Sequence, residues 1–173
     1  MNRVAVPLEL SPPAERPRGG AMIELGGPTM GVAWSAKALA PPGFDQAAAQ
    51  AGVQALLNRL VAQMSPWEPQ SDISRFNHAP TGAWLNMAPA FQHVLTAALR
   101  WAQASDGAFD PTAGRLVDLW GFGPAGAVEA PPEPADVAAA LGACGWDRLA
   151  LDGSRAFQPG GMALDFSGIA KGF

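Results

Sequence analysis

The sequence predicts a mixed α+β fold with antiparallel strands, and three observations carry that prediction. Apolar residues recur at helical spacing in two long stretches, near residues 45–64 and 89–102. Three short segments rich in strand formers, residues 148–151, 155–158 and 162–166, are separated by Asp152-Gly153 and Pro159-Gly-Gly161, turn signatures that suit an antiparallel meander. A further pair of short strands, residues 21–25 and 32–37, flanks the punctuated turn Gly26-Gly-Pro-Thr-Met-Gly31 and puts Met30 at its tip. With 173 residues, 49% of them hydrophobic, the chain has enough apolar surface for one packed domain and too little length for two full ones.

In order along the chain, residues 11–20 are Pro, Arg, Glu and Gly with little apolar surface, so residues 1–20 are expected to form a flexible leader and 21–173 the folded part. Asp45 is a good N-cap for the first helix, whose predicted buried stripe is Val53, Leu56, Leu57, Leu60, Val61 and Met64, with Gln50 and Gln63 facing water. Pro66 stops it. Ser71-Asp-Ile-Ser-Arg-Phe-Asn77 predicts a short helix capped by Ser71 or Asp72, with Ile73 and Phe76 inward. Residues 84–87 predict a short strand. The next helix has Pro89 in its first turn and a stripe of Phe91, Val94, Leu95, Ala98, Trp101 and Ala102, which accounts for Trp101 by packing alone. Val137, Ala140, Leu141 and Cys144 mark one more helix, ending at Gly145.

Composition excludes several classes of function. A net charge of -4 and a pI near 5.0 leave no basic surface for nucleic acid, so no nucleic-acid partner is expected. The single Cys144 has no internal disulfide partner, and His78 and His93 stand in no zinc-type spacing, so any metal is expected to be held by oxygen. No transmembrane segment is evident. The N-terminus lacks the charged-then-apolar order of a signal peptide, which gives a cytoplasmic protein as written and a periplasmic or membrane-associated one if the true start lies upstream.

The densest stretch is residues 106–124. Asp106-Gly107 should close a helix with left-handed backbone, and Asp110-Pro111 forces an extended aspartate. Gly121-Phe-Gly-Pro124 then continues neither helix nor strand. Two sharp turns around a fixed carboxylate position that carboxylate for use.

Gly107-Ala-Phe-Asp-Pro-Thr-Ala-Gly114 with Leu119-Trp-Gly-Phe-Gly123 resembles the central motif of the ApbE family, the FAD:protein FMN transferases. Three further segments resemble it in the same order: Gly27-Pro-Thr-Met-Gly31, Met64-Ser-Pro-Trp-Glu-Pro-Gln-Ser-Asp-Ile-Ser-Arg-Phe-Asn77, and Leu164-Asp-Phe-Ser-Gly-Ile-Ala-Lys-Gly-Phe173. The resemblance implies a T-fold-like architecture and a flavin-nucleotide site. By it, Met30 lines the flavin, Trp67 stacks on the ring or walls its pocket, and Ala108, Phe109 and Asp110 form a flavin-binding tripeptide. Asp165 and Lys171 contact FAD, and Gly168 supplies a carbonyl to magnesium. Judged alone, four of these have a structural reading: a core plug for Met30, a core-edge aromatic for Trp67, a helix cap for Asp165 and a solvated charge for Lys171. No catalytic residue is singled out. The implied reaction splits FAD, releases AMP and joins FMN through phosphate to a Thr or Ser hydroxyl of a target flavoprotein, with magnesium neutralising the phosphates. The family's further magnesium ligands, an Asp-x-x-x-Thr pattern, have no counterpart here. The expectation is therefore an N-terminal part of a flavin transferase, with a flavin-binding module or a remnant without transfer activity as the alternatives.

Overall fold

Between Thr29 and Val32 the chain reverses through two residues, Met30 and Gly31, both with positive φ (49° and 74°). Two left-handed residues make the tight turn whose twist suits a hairpin. In this computed structural model, which describes residues 18–172, the hairpin belongs to the first of two compact units, divided between Gln54 and Ala55. Of the leader expected over residues 1–20, only Arg18 to Gly20 lie among the described residues, with a turn at Arg18 and Gly19.

In the first unit, β1 (Ala21–Thr29) pairs antiparallel with β2 (Val32–Ala40) over nine registered pairs. Both strands are longer than the sequence suggests, because Gly26 to Thr29, read as part of the turn, continue the ladder and leave the reversal to Met30-Gly31 alone. Helix α1 (Gln46–Met64) is capped by Asp45, whose Oδ1 accepts the Ala48 amide at 2.8 Å. Three glutamines one turn apart on α1 serve alternate residues of β1. Gln46 donates to the Glu24 carbonyl (2.8 Å), Gln50 accepts the Gly26 amide (3.3 Å), and Gln54 donates to the Pro28 carbonyl (2.8 Å) while accepting the Trp34 indole N–H (2.9 Å). Four helical residues advance about 6 Å and two strand residues about 6.6 Å, so the spacings match. Gln50, expected in water, thus helps satisfy an otherwise open strand edge.

The second unit is built on helix α3 (Pro89–Ala104), whose Phe91, Val94, Leu95, Ala98 and Ala102 are buried as expected. They pack with Ile73, Phe76, Met162, Leu164 and Phe166, and the rings of Phe91 and Phe166 meet tilted at 5.1 Å. Trp101 departs from the expectation and is 63% exposed. Adjacent helical residues point roughly 100° apart, so beside the buried Ala102 it turns off the core face. The stripe expected on α1 is likewise shallow: only Met64 is buried, and Leu56 is 48% exposed. Gln63, also expected in water, accepts the Phe91 amide at 3.1 Å.

Short helix α2 (Asp72–Asn77) forms as predicted, with the Ser71 hydroxyl accepting the Ser74 amide at 3.1 Å and Ile73 and Phe76 buried. A three-stranded antiparallel sheet has the order β3 (Trp84–Asn86), β5 (Arg155–Phe157), β4 (Leu151–Asp152). The expected meander is only half present. Strand β5 already has a partner on each edge, so residues 162–166 cannot add to it and pair elsewhere, with the central motif. Helices α4 (Gly114–Leu119) and α5 (Pro134–Ala143) complete the unit. Among the described residues, no helix is long and apolar enough to cross a membrane.

Candidate functional site

The site is assembled by backbone bonds between two segments far apart in sequence. After α3, Asp106 and Gly107 take left-handed backbone (φ 52° and 77°), and the Gly107 amide donates back to the Ala102 carbonyl at 2.8 Å, closing the helix as the sequence predicts. The chain then runs through Ala108, Phe109 and Asp110 to the buried Pro111 and Thr112. There it meets the closing segment. The Asp165 amide donates to the Pro111 carbonyl and the Gly114 amide to the Ala163 carbonyl, both at 2.9 Å, with a parallel bridge between Ala113 and Ala163. Gly114 makes this approach possible: a Cβ there would lie 2.8 Å from the Ala163 carbonyl oxygen.

Side chains brace the same junction from the other face of the closing segment. Asn77 Nδ2 donates to the Leu164 carbonyl (3.0 Å), and Asn77 Oδ1 accepts the Leu164 amide (2.7 Å). Buried Gln158 donates to the carbonyls of Phe76 (2.9 Å) and Met162 (3.1 Å). The guanidinium of Arg115 holds the Gly161 carbonyl at 3.0 Å. Arg75 pairs with Asp72 in its own helix.

Within this frame the positions of the expected site residues differ. Phe109, Asp110, Asp165 and Gly168 come together. The Phe109 ring lies against Gly168, where a Cβ would stand 3.2 Å from Cε2. A cleft of about 280 Å³ is lined by Trp101, Ser105, Phe109, Gly168 and Ile169. Asp110 is half-buried, and its Oδ1 accepts from the Thr112 amide (2.7 Å) and hydroxyl (2.6 Å). Asp165 is half-buried too, its carboxylate accepting the amide (2.8 Å) and hydroxyl (3.2 Å) of Ser167. That is the turn-capping part open to it from sequence. Ala108 is exposed beside them, and Lys171 is exposed in the 3₁₀ turn Ala170–Gly172.

Among the described residues, the chain after Ser167 forms only this 3₁₀ turn. The amides of Ser167, Ile169 and Ala170 are bonded locally, to Asp165 and Phe166. Trp67 is 61% exposed in the turn after α1 and makes no hydrogen bond or ring contact with the cluster. Met30 lies in the first unit at the hairpin tip, 47% exposed.

Three residues escaped the sequence reading. Trp101 was absorbed into a core stripe, Ser105 accepts the Phe109 amide on its Oγ (3.1 Å), and Thr112 is fully buried between Asp110 and Gly145. Only Thr112 had a visible signal, since Asp-Pro-Thr is a sequence in which the aspartate bonds the chain two residues on.

Burial and the neighbouring Asp110 carboxylate raise the Cys144 thiol above its ordinary range, and Arg148 partly offsets them. Cys144 is therefore a protonated, inert thiol near neutral pH.

Together these features define the class: a mixed α+β chain whose central loop and closing segment form one backbone-linked cluster of an aromatic ring, two carboxylates and a bare glycine. The profile of the ApbE family matches residues 30–173. The FAD:protein FMN transferase of Haemophilus influenzae is 32% identical over 160 residues, covering 88% of this chain and 46% of that protein. Among solved structures, the flavin transferase ApbE from Vibrio cholerae superposes with a TM-score of 0.84 at 31% identity, covering 88% of this chain and 50% of that one. The apo flavinyl transferase ApbE of Pseudomonas stutzeri gives 0.78 at 34% identity, covering 85% and 50%. The chain belongs to the ApbE family, and it spans about half the length of the curated relatives it matches.

Proposed function

We propose that this chain supplies the flavin-nucleotide side of an FAD:protein FMN transferase. The observation that carries the reading is the junction of Pro111 and Gly114 with Asp165 and Ala163, which gathers Phe109, Asp110, Asp165 and Gly168 from two of the four family-like segments. Phe109 offers a flat apolar face to a ring system. Asp110 accepts a hydrogen bond from a ribityl hydroxyl or a ring N–H, for which a charged acceptor is strong. Ala108 leaves room beside them, and Asp165 and Lys171 contact FAD from the closing segment. Met30 and Trp67 belong to the flavin site by resemblance to the family.

In the proposed reaction the oxygen of a Thr or Ser hydroxyl on a target flavoprotein bonds to the FMN phosphorus of FAD. The pyrophosphate P–O bond breaks, AMP leaves with the bridging oxygen, and the hydroxyl loses its proton. Such transfers depend chiefly on position and on charge neutralisation, not on covalent help from the protein. Magnesium would supply that neutralisation but needs near-octahedral oxygen ligation. Gly168 offers one carbonyl, and no group of three or more His, Cys, Asp or Glu comes together among the described residues. The residues present do not make that cage by themselves, so no step is assigned to the ion; magnesium dependence rests on the family resemblance. The same observation favours a second reading, an FAD-binding module that does not itself carry out transfer.

Incubation of the chain with FAD, magnesium and a Thr-bearing acceptor peptide separates the two. Transfer predicts AMP and flavin-labelled peptide in equal amounts. Bound FAD with no AMP is the outcome that supports the module.

A further inference from the structure

Thr112 is completely buried, and its hydroxyl both donates and accepts a hydrogen bond. It donates to Asp110 Oδ1 at 2.6 Å and accepts the Gly145 amide at 2.8 Å, while the Thr112 amide donates to the same Oδ1 at 2.7 Å. A hydroxyl has one hydrogen to give, so the Gly145 amide, by occupying an acceptor side of the oxygen, leaves that hydrogen aimed at Asp110. Gly145 itself has φ 138°, a conformation that favours glycine. The result is a one-sided carboxylate: Oδ1 holds two donors, and Oδ2 has no partner among the described residues.

We propose that Thr112 is a positioning residue for nucleotide binding, holding the Asp110 carboxylate so that Oδ2 alone is presented to a hydroxyl or ring N–H of FAD. This rests on the reading of Asp110 given above. Two alternatives for a buried threonine make different predictions. If it only fills space, its loss harms the protein whatever stands at position 110. If it acts through Asp110, its loss matters to FAD only while the carboxylate is there.

The test is a double-mutant cycle on the full chain, with FAD binding followed by flavin fluorescence in the wild type, Thr112→Val, Asp110→Asn and the double variant. Valine keeps the shape and drops the hydroxyl. The single variants should each weaken FAD binding about tenfold, as expected for a lost bond to a charged group, and the double should match Asp110→Asn to within about twofold. Thr112→Ser, which keeps the hydroxyl, should restore affinity to within about threefold of wild type.

Losses that multiply in the double variant would overturn the positioning role while leaving Asp110 in the site. An unchanged affinity in Asp110→Asn, or a wild-type chain that does not bind FAD, would overturn the proposal together with the reading beneath it. Should Thr112→Val lose its helical circular dichroism, Thr112→Ser decides instead, and a tenfold loss in that variant overturns the proposal.

Discussion

Gly114 shows how much a single residue fixes at this site. Its amide bonds Ala163, and there is no room for a methyl group between the two backbones. Gly114→Ala should therefore cost about 1–3 kcal/mol by overpacking, seen as a lower urea midpoint at unchanged slope. Cys144 gives a second prediction, with its sign set by the neighbouring charges. Since Asp110 helps hold the thiol protonated, Asp110→Asn should lower its pKa and speed alkylation by iodoacetamide near pH 8, whereas Arg148→Ala should slow it. Rates measured across pH check both, and an unchanged profile in Asp110→Asn would separate the two side chains. At this scale the sequence was legible where chemistry is local. Asp110-Pro111 foretold a fixed aspartate, and Ser71 foretold a cap. Trp101 was misread because periodicity says which residues share a stripe, not how wide the core beneath it is.

Among the elements, a paired bond between Asn77 and the backbone of Leu164 fastens the end of α2 to the closing segment. Asn77→Ala leaves a buried amide and carbonyl unpaired and should cost about 1–3 kcal/mol. It should also weaken FAD binding, because Asp165 and Gly168 follow directly; unchanged stability and affinity would show the tie to be dispensable. Helices α1, α2, α3 and α5 were legible in the sequence because their signals lie within one turn of each other, whereas α4, a six-residue helix inside the dense central stretch, was not. The pairing of β3 with β5 was not, since nothing local in residues 84–86 points to a partner some seventy residues later, and that pairing displaces residues 162–166 from the expected meander. The glutamine ladder from α1 to β1 was hidden for the same reason: Gln46, Gln50 and Gln54 look like a solvated face until the strand is seen beside them.

For the whole molecule, the four family-like segments were legible as motifs, and the fold explains two of them jointly: the central loop and the closing segment are one structure. Met30, at the tip of the hairpin in the first compact unit, and the exposed Trp67 are assigned to the flavin by resemblance to the family. The proposed function puts FAD at the junction of residues 109–114 with 163–168. Titration of the full chain with FAD, followed by flavin fluorescence in the wild type and in Gly168→Val, tests it most directly. Saturable binding by the wild type is expected, with a loss of at least about tenfold in the variant, whose side chain would press on Phe109. Equal binding by both proteins, or none by the wild type, would contradict it.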